Sequence, residues 1–101
     1  MAASRTVAKA IVVAAGTGTG VVSLPSFSGY DLKVLSIDAP VGATYTWVLR
    51  DAEGYALAGA NGATGDQTYY YSVPSLGPLS LTFTSATDGT YATKTGVDFK
   101  S

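Results

Sequence analysis

Hydrophobic and polar residues alternate most clearly in the second half of the chain. In residues 79–84 each large apolar side chain is followed by serine or threonine, which predicts a strand with one apolar and one hydroxylic face. Three consecutive tyrosines precede this run, and in a regular strand Tyr69 and Tyr71 point to one side and Tyr70 to the other. Because proline and glycine separate the two runs, we expect a hairpin over residues 66–86.

The rest of the chain has the residue pattern of β-strands and almost no helical periodicity. Turn signals recur every ~8–12 residues, and further strands are expected at residues 5–13, 21–24, 30–38, 44–51, 55–58 and 90–100. Residues 59–65 lack bulky side chains and are expected to form a flexible loop. The chain is therefore predicted to be one all-β domain over residues 1–101, an antiparallel β-sandwich of seven or eight strands, Ig-like or a compact jelly roll.

The apolar pattern changes side within the strand predicted at residues 30–38. Leu32 and Val34 share one parity, whereas Leu35 and Ile37 share the other. A β-bulge near Val34 and Leu35 would bring all four side chains to one face. The alternative is a central strand that is buried on both faces.

The predicted core consists of the apolar residues that fall on one face of each strand. Trp47 lies in the middle of a predicted strand and is expected to fill the space between the sheets. Truncating a buried ring of that size typically costs ~3–5 kcal/mol. The full set is Ile11, Val13, Val22, Leu24, Leu32, Ile37, Tyr45, Trp47, Leu49, Leu57, Tyr71, Leu79, Leu81, Phe83 and Val97.

The N-terminal segment has two interpretations. Arg5 and Lys9 precede a short apolar run at residues 10–15, as a positively charged segment does in a secretion signal. The run is shorter than such signals require, so a first strand is the favoured interpretation. No run approaches the ~18 apolar residues of a membrane span, and no membrane partner is expected.

Charge and residue types exclude several classes of function. Charged residues make up 13% of the chain, against a usual ~25%, and the six basic residues are scattered, so a nucleic acid partner is not expected. Cysteine and histidine are both absent. Thiolate chemistry is therefore excluded, and the commonest general base and transition-metal ligand, histidine, is missing, so we expect neither catalysis nor a cofactor.

Two short motifs have a possible chemical meaning and a stronger structural one. The glycine-threonine run at residues 16–20 could cradle a phosphate, but a strand follows it where a helix would be needed, so a turn is favoured. Asp51 and Glu53 could act as a carboxylate pair, but they bracket a turn, where aspartate is favoured for local hydrogen bonds. Calcium could bind to acidic residues at strand ends and turns, but the spacing of an EF-hand or repeat-type calcium loop is absent. The candidates are Asp38, Asp51, Glu53, Asp66 and Asp88.

Several turn and strand motifs resemble those of small virion proteins of tailed bacteriophages, such as capsid decoration or cement proteins. They are GTGVVSL at residues 18–24, FSGY at 27–30, VLRDAEG at 48–54 and the return at 74–81. The resemblance implies a protein that binds the major capsid protein or another virion protein on the outer surface of the head. It also implies a small homo-oligomer, with a trimer favoured. The extended arm that many cement proteins use is not evident.

These observations favour a non-enzymatic structural protein of a phage virion, with Tyr70, Tyr55 and Tyr30 as the candidate interface residues. A small carbohydrate- or surface-binding sandwich module is the alternative. In that case, exposed tyrosines would form a stacking platform for sugars.

Overall fold

The computed structural model describes residues 3–24 and 29–99. These residues form eight strands, and no helix is present among them. The strands are β1 (Ala3–Val13), β2 (Gly18–Val22), β3 (Tyr30–Asp38), β4 (Thr44–Arg50), β5 (Ala56–Thr64), β6 (Gln67–Ser75), β7 (Leu79–Thr84) and β8 (Gly89–Phe99). Within the described residues no helix is long and apolar enough to cross a membrane.

The strands form two antiparallel four-stranded sheets that pack face to face. The first sheet has the order β1-β8-β3-β6 and the second the order β2-β7-β4-β5. First pairs with last, second with seventh, third with sixth and fourth with fifth, as in one long hairpin that has been rolled up. This nested pairing is the jelly-roll topology, so the β-sandwich prediction is confirmed and the Ig-like variant is excluded.

The prediction of a hairpin over residues 66–86 is wrong. β6 pairs with β3 in the first sheet, whereas β7 pairs with β2 and β4 in the second sheet. Both strands were correctly expected to have a core-facing side, and those two sides meet across the core instead of lying in one sheet. The proline- and glycine-containing segment between Ser75 and Leu79 is a crossover between the sheets.

The prediction of a loop at residues 59–65 is also wrong, because β5 continues to Thr64. Its small side chains hide the strand signal, yet its backbone pairs with β4. A methyl group at Gly59 would lie 2.8 Å from the Trp47 carbonyl oxygen, so glycine lets the two strands approach. Trp47 pairs with Ala60 and Tyr45 with Ala63, which leaves a bulge between them.

A bulge in β3 is confirmed and begins one residue earlier than expected. The pairing of β3 with β8 shifts between Leu32 and Val34, so Lys33 is the extra residue. Leu32, Leu35 and Ile37 are all fully buried, with 0% exposure. Val34 was expected on the same face, but it covers Gly96 on the outer side of the sheet. The bulge therefore brings three of the four apolar residues to the core.

The core lies between the two sheets and closely matches the predicted set. Leu57 and Tyr71 are half-buried, and the other predicted members are buried. Burial of Tyr71 raises the pKa of its hydroxyl. The apolar residues that are buried but were not predicted are Tyr30, Leu35, Ala43, Ala86 and Tyr91. Three aromatic rings pack together within this core. The ring centroids of Tyr91 and Phe83 lie 4.6 Å apart, and those of Tyr91 and Tyr45 lie 5.2 Å apart.

The glycine-threonine run begins as a turn and continues as strand β2 from Gly18, so the predicted turn is confirmed only for the start of the run. Ala14 and Thr17 exchange two backbone hydrogen bonds, and the residues between them have positive φ, 54° at Ala15 and 81° at Gly16. The Gly16 amide donates to the Asp88 carboxylate at 2.9 Å. A carboxylate of the chain thus accepts the hydrogen bond of an amide that a bound phosphate would need.

Candidate functional site

The three candidate interface tyrosines have different environments. Tyr70 is 81% exposed in the middle of β6, and Tyr55 is 69% exposed after the turn that follows β4. Tyr30 is 1% exposed, and its hydroxyl donates to the Gly77 carbonyl oxygen at 2.5 Å. The proposal of Tyr30 as an interface residue is therefore wrong. The crossover from β6 to β7 covers its ring, and this burial raises the pKa of the hydroxyl.

The tyrosine run has the two-sided arrangement that the alternation predicts. Tyr69 and Tyr71 are half-buried against the core, while Tyr70 points to solvent on the outer face of the first sheet. The ring centroids of Tyr69 and Trp47 lie 4.9 Å apart, and the Trp47 indole N–H donates to the Tyr69 hydroxyl at 3.5 Å. Neighbouring residues on one strand thus serve the core and the surface.

Small side chains surround Tyr70 on the outer face of the first sheet. Tyr70 pairs with Val34, Val34 with Gly96 and Gly96 with Thr6, which makes one row across the four strands. Further along this face a shallow depression of about 220 Å³ lies over Ala8, Ala10 and Ala92, with Lys94 and Asp38 at its border. Tyr70 is therefore a large exposed ring whose nearest neighbours in this row are small side chains.

The two lateral sides of the sandwich differ in charge. β1 lies against β2 on one side, and β5 lies against β6 on the other. Asp66 is the one charged residue between Ala56 and Ser75, and its carboxylate accepts the Ala39 amide at 2.9 Å. On the opposite side β1 carries Arg5 and Lys9. Natural proteins use such charges to prevent edge strands from pairing with other chains, and β5 and β6 carry none.

One end of the sandwich contains an open cleft of about 550 Å³. Its wall combines apolar residues of the β6–β7 crossover, among them Leu76 and Pro78, with Asp51 and Glu53. The Asp51 carboxylate accepts the backbone amides of Glu53 at 2.9 Å and Tyr55 at 3.0 Å. This is the local hydrogen bonding that favours aspartate in turns, so turn formation accounts for Asp51.

Three of the four aspartates considered as calcium ligands accept hydrogen bonds from separate turns. Asp66 accepts the Ala39 amide, Asp88 the Gly16 amide and Asp51 two amides of its own turn. Within the described ranges, no group of three or more acidic residues could hold a metal ion together.

The seven tyrosines of the chain do not form a row of exposed rings. Tyr30, Tyr45 and Tyr91 are buried, and the two exposed rings lie on different parts of the molecule. The Tyr45 hydroxyl donates to the Gly65 carbonyl oxygen at 2.6 Å, and burial raises the pKa of Tyr45 to about 12. The arrangement therefore gives no stacking platform of the kind expected for a sugar-binding sandwich face.

Comparison with known proteins shows the fold alone. No protein-family model matches the chain, and no curated protein matches its sequence. A crystal structure of FLHE superposes with a TM-score of 0.53 at 8% identity, over 99% of this chain and 98% of that one.

Capsid structures are among the weaker structural matches. A structure of infectious bursal disease virus, Gx strain, gives a TM-score of 0.48 at 12% identity over 97% of this chain, which spans 33% of the viral chain. A virus-like particle of Macrobrachium rosenbergii extra small virus gives 0.41 at 18% identity, over 99% of this chain and 80% of that one. At these scores neither match carries an argument about function.

Proposed function

We propose that this chain is a non-enzymatic structural protein of a phage virion, a capsid decoration or cement protein that binds capsomers on the outer surface of the head. The observation that carries the proposal is Tyr70, which is 81% exposed beside small side chains. An exposed aromatic ring that the chain does not need for its own core is a common anchor of protein interfaces. Attachment would come from buried area and strand pairing, without turnover.

The surface chemistry supports an assembly role over a catalytic one. The chain contains no histidine or cysteine, and the carboxylates of Asp51, Asp66 and Asp88 are engaged in turns. The uncharged side formed by β5 and β6 favours association with another protein chain. Jelly rolls are used by capsid proteins and by lectins, so the fold admits both this proposal and its alternative.

The direct experiment is to ask whether the protein copurifies with intact phage particles and in what ratio to the major capsid protein. A fixed ratio, with particles that lose heat resistance when the protein is absent, is the expected result. Adding back the purified protein should restore resistance, and the Tyr70→Ala variant should do so less well. Absence from purified particles, or a ratio that varies between preparations, would rule out a decoration role.

The open cleft at the end of the sandwich supports a carbohydrate-binding module as the second candidate. Its volume of about 550 Å³, its apolar wall and the Glu53 carboxylate suit a small sugar, which needs apolar contact and hydrogen-bond acceptors. A glycan array separates the two functions. A monomer that binds glycans and is missing from particles would favour the module.

A further inference from the structure

The edge strand of the first sheet that carries no charge is β6, and its one proline, Pro74, lies near its C-terminal end. β6 pairs with β3 on one side, and within the described residues no strand pairs with its other side. The opposite edge strand of this sheet, β1, carries Lys9. The Cγ atom of Lys9 lies 3.4 Å from the position that a methyl group at Gly20 of β2 would take. A lysine on an edge strand opposes pairing with another chain. β6 carries neither a lysine nor any other charge.

The sequence of β6 is chemically symmetric about Tyr70. Residues 68–72 read Thr-Tyr-Tyr-Tyr-Ser, so the order of hydroxyl and aromatic side chains is the same in both directions. A strand with this symmetry is complementary to an antiparallel copy of itself. From these observations we infer that two copies of the chain form a dimer by antiparallel pairing of their β6 edges about a two-fold axis at Tyr70.

The register follows from the faces of the strand. Residues directly opposite each other in a pair must share a face, so the core-facing Tyr69 and Tyr71 cannot lie opposite Tyr70 of a second copy. A two-fold axis at Tyr70 places Tyr70 opposite Tyr70, Tyr69 opposite Tyr71 and Thr68 opposite Ser72. Aromatic and hydroxyl pairs of this kind each contribute roughly 0.2–1 kcal/mol.

The neighbouring strand leaves room for the second copy. β5 lies beside β6 at the same side of the sandwich, and its side chains are mostly alanine and glycine. The pairing ends where Pro74 would lie opposite Asp66, because proline has no amide to donate. Pairing over residues 67–73 involves seven residues of each copy, against roughly 20–30 a side in a stable interface, so we expect a weak dimer with a dissociation constant in the micromolar range.

Cysteine crosslinking tests this register directly, because the chain has no cysteine of its own. Opposite residues in an antiparallel pair have Cα atoms about 4.5–5.5 Å apart, within the range that a disulfide bridges. The Tyr70→Cys variant should therefore form a covalent dimer under mild oxidation. Ala8→Cys, at an exposed position on the other edge strand of the same sheet, is the matched control and should stay monomeric.

A second pair of variants tests the register without changing Tyr70. In the proposed dimer residue 68 lies opposite residue 72, whereas the two copies of residue 68 are roughly 13 Å apart along the strand. Thr68→Cys alone and Ser72→Cys alone should not crosslink. An equimolar mixture of the two should give the mixed dimer.

Light scattering of the unmodified protein gives the independent measurement. A dimer fraction that rises through the micromolar range is expected. The trimer implied by the resemblance to cement proteins would overturn the proposal, and so would a monomer at about 1 mM. Crosslinking of the mixture of Thr68→Cys and Ser72→Cys no faster than of Ala8→Cys, or equal crosslinking at every position, would do the same. Because the dimer is a property of the isolated chain, its failure leaves the virion proposal standing, and the reverse also holds.

Discussion

The Val34 side chain covers Gly96 on the outer face of the first sheet, so closely that a methyl group at position 96 would lie 2.5 Å from Val34 Cγ1. The two residues are direct partners across β3 and β8. Val34 reaches this position because the bulge at Lys33 turns it away from the core. The glycine in the middle of β8 is thus explained by the bulge in its neighbour.

This contact predicts that Gly96→Ala destabilises the fold through overpacking, by about 1–3 kcal/mol. The valine is stiff at χ1 and cannot move aside cheaply. Combining Gly96→Ala with Val34→Ala should recover most of the loss, since the clash requires both side chains. Urea unfolding of the four proteins of the cycle measures this coupling. Additive effects would show that the cost of alanine at position 96 comes from the backbone and not from Val34.

Two buried threonines on β8 should respond in opposite ways to the same substitution. The Thr95 hydroxyl is buried with no hydrogen-bond partner among the described residues, whereas the Thr93 hydroxyl donates to the Lys9 carbonyl oxygen at 2.8 Å. Thr95→Val should raise the free energy of unfolding by about 1 kcal/mol, because an unpaired buried hydroxyl is costly. Thr93→Val should lower it by a similar amount. Chemical denaturation compares them, and an equal loss in both would contradict the assignment.

Stability should fall at alkaline pH because of Tyr45. Burial raises the pKa of its hydroxyl to about 12 from an ordinary value of 10.0, so the folded state holds the proton more tightly than the unfolded state. This contribution is complete below about pH 10 and is lost as the pH rises toward 12. Tyr45→Phe should be less stable at neutral pH, since the hydrogen bond to Gly65 is gone, and less sensitive to alkali. Urea midpoints measured across the alkaline range would test both effects.

An unchanged alkaline slope in Tyr45→Phe would assign the effect to other tyrosines. Burial also raises the pKa values of Tyr30, Tyr71 and Tyr91, so the corresponding phenylalanine variants provide the comparison.

Alternation predicted the faces of the strands but not their partners. A period of two tells which side of a strand is apolar, and this was enough for Tyr70 and for most of the core. It contains no information on which strands pair, and β6 and β7, which are close in sequence, lie in different sheets. Where one face is not purely apolar the signal weakens. β8 turns Thr93 and Thr95 inward beside Tyr91, and the burial of Tyr91 was missed for this reason.

The exposure of the three candidate tyrosines was predicted only in part, for a related reason. Tyr30 and Tyr55 both lie at or near a strand end, where the local pattern does not reveal whether a distant segment covers the ring. The β6–β7 crossover reaches Tyr30 through its hydrogen bond to Gly77, and it leaves Tyr55 exposed. Tyr70 lies in mid-strand, so its own neighbours determine its direction.

The tyrosine run offers the sharpest separation of folding from association. Tyr70→Ala should weaken self-association or capsid attachment by about 1–3 kcal/mol and leave the urea midpoint nearly unchanged, since the ring is 81% exposed. Tyr69→Ala, one residue away, should instead lower the free energy of unfolding, because that ring packs on Trp47 with centroids 4.9 Å apart. Denaturation and light scattering on both variants test the pair. Unfolding of the isolated Tyr70→Ala domain would mean that the ring belongs to the core, and the interface proposal would then lose its anchor.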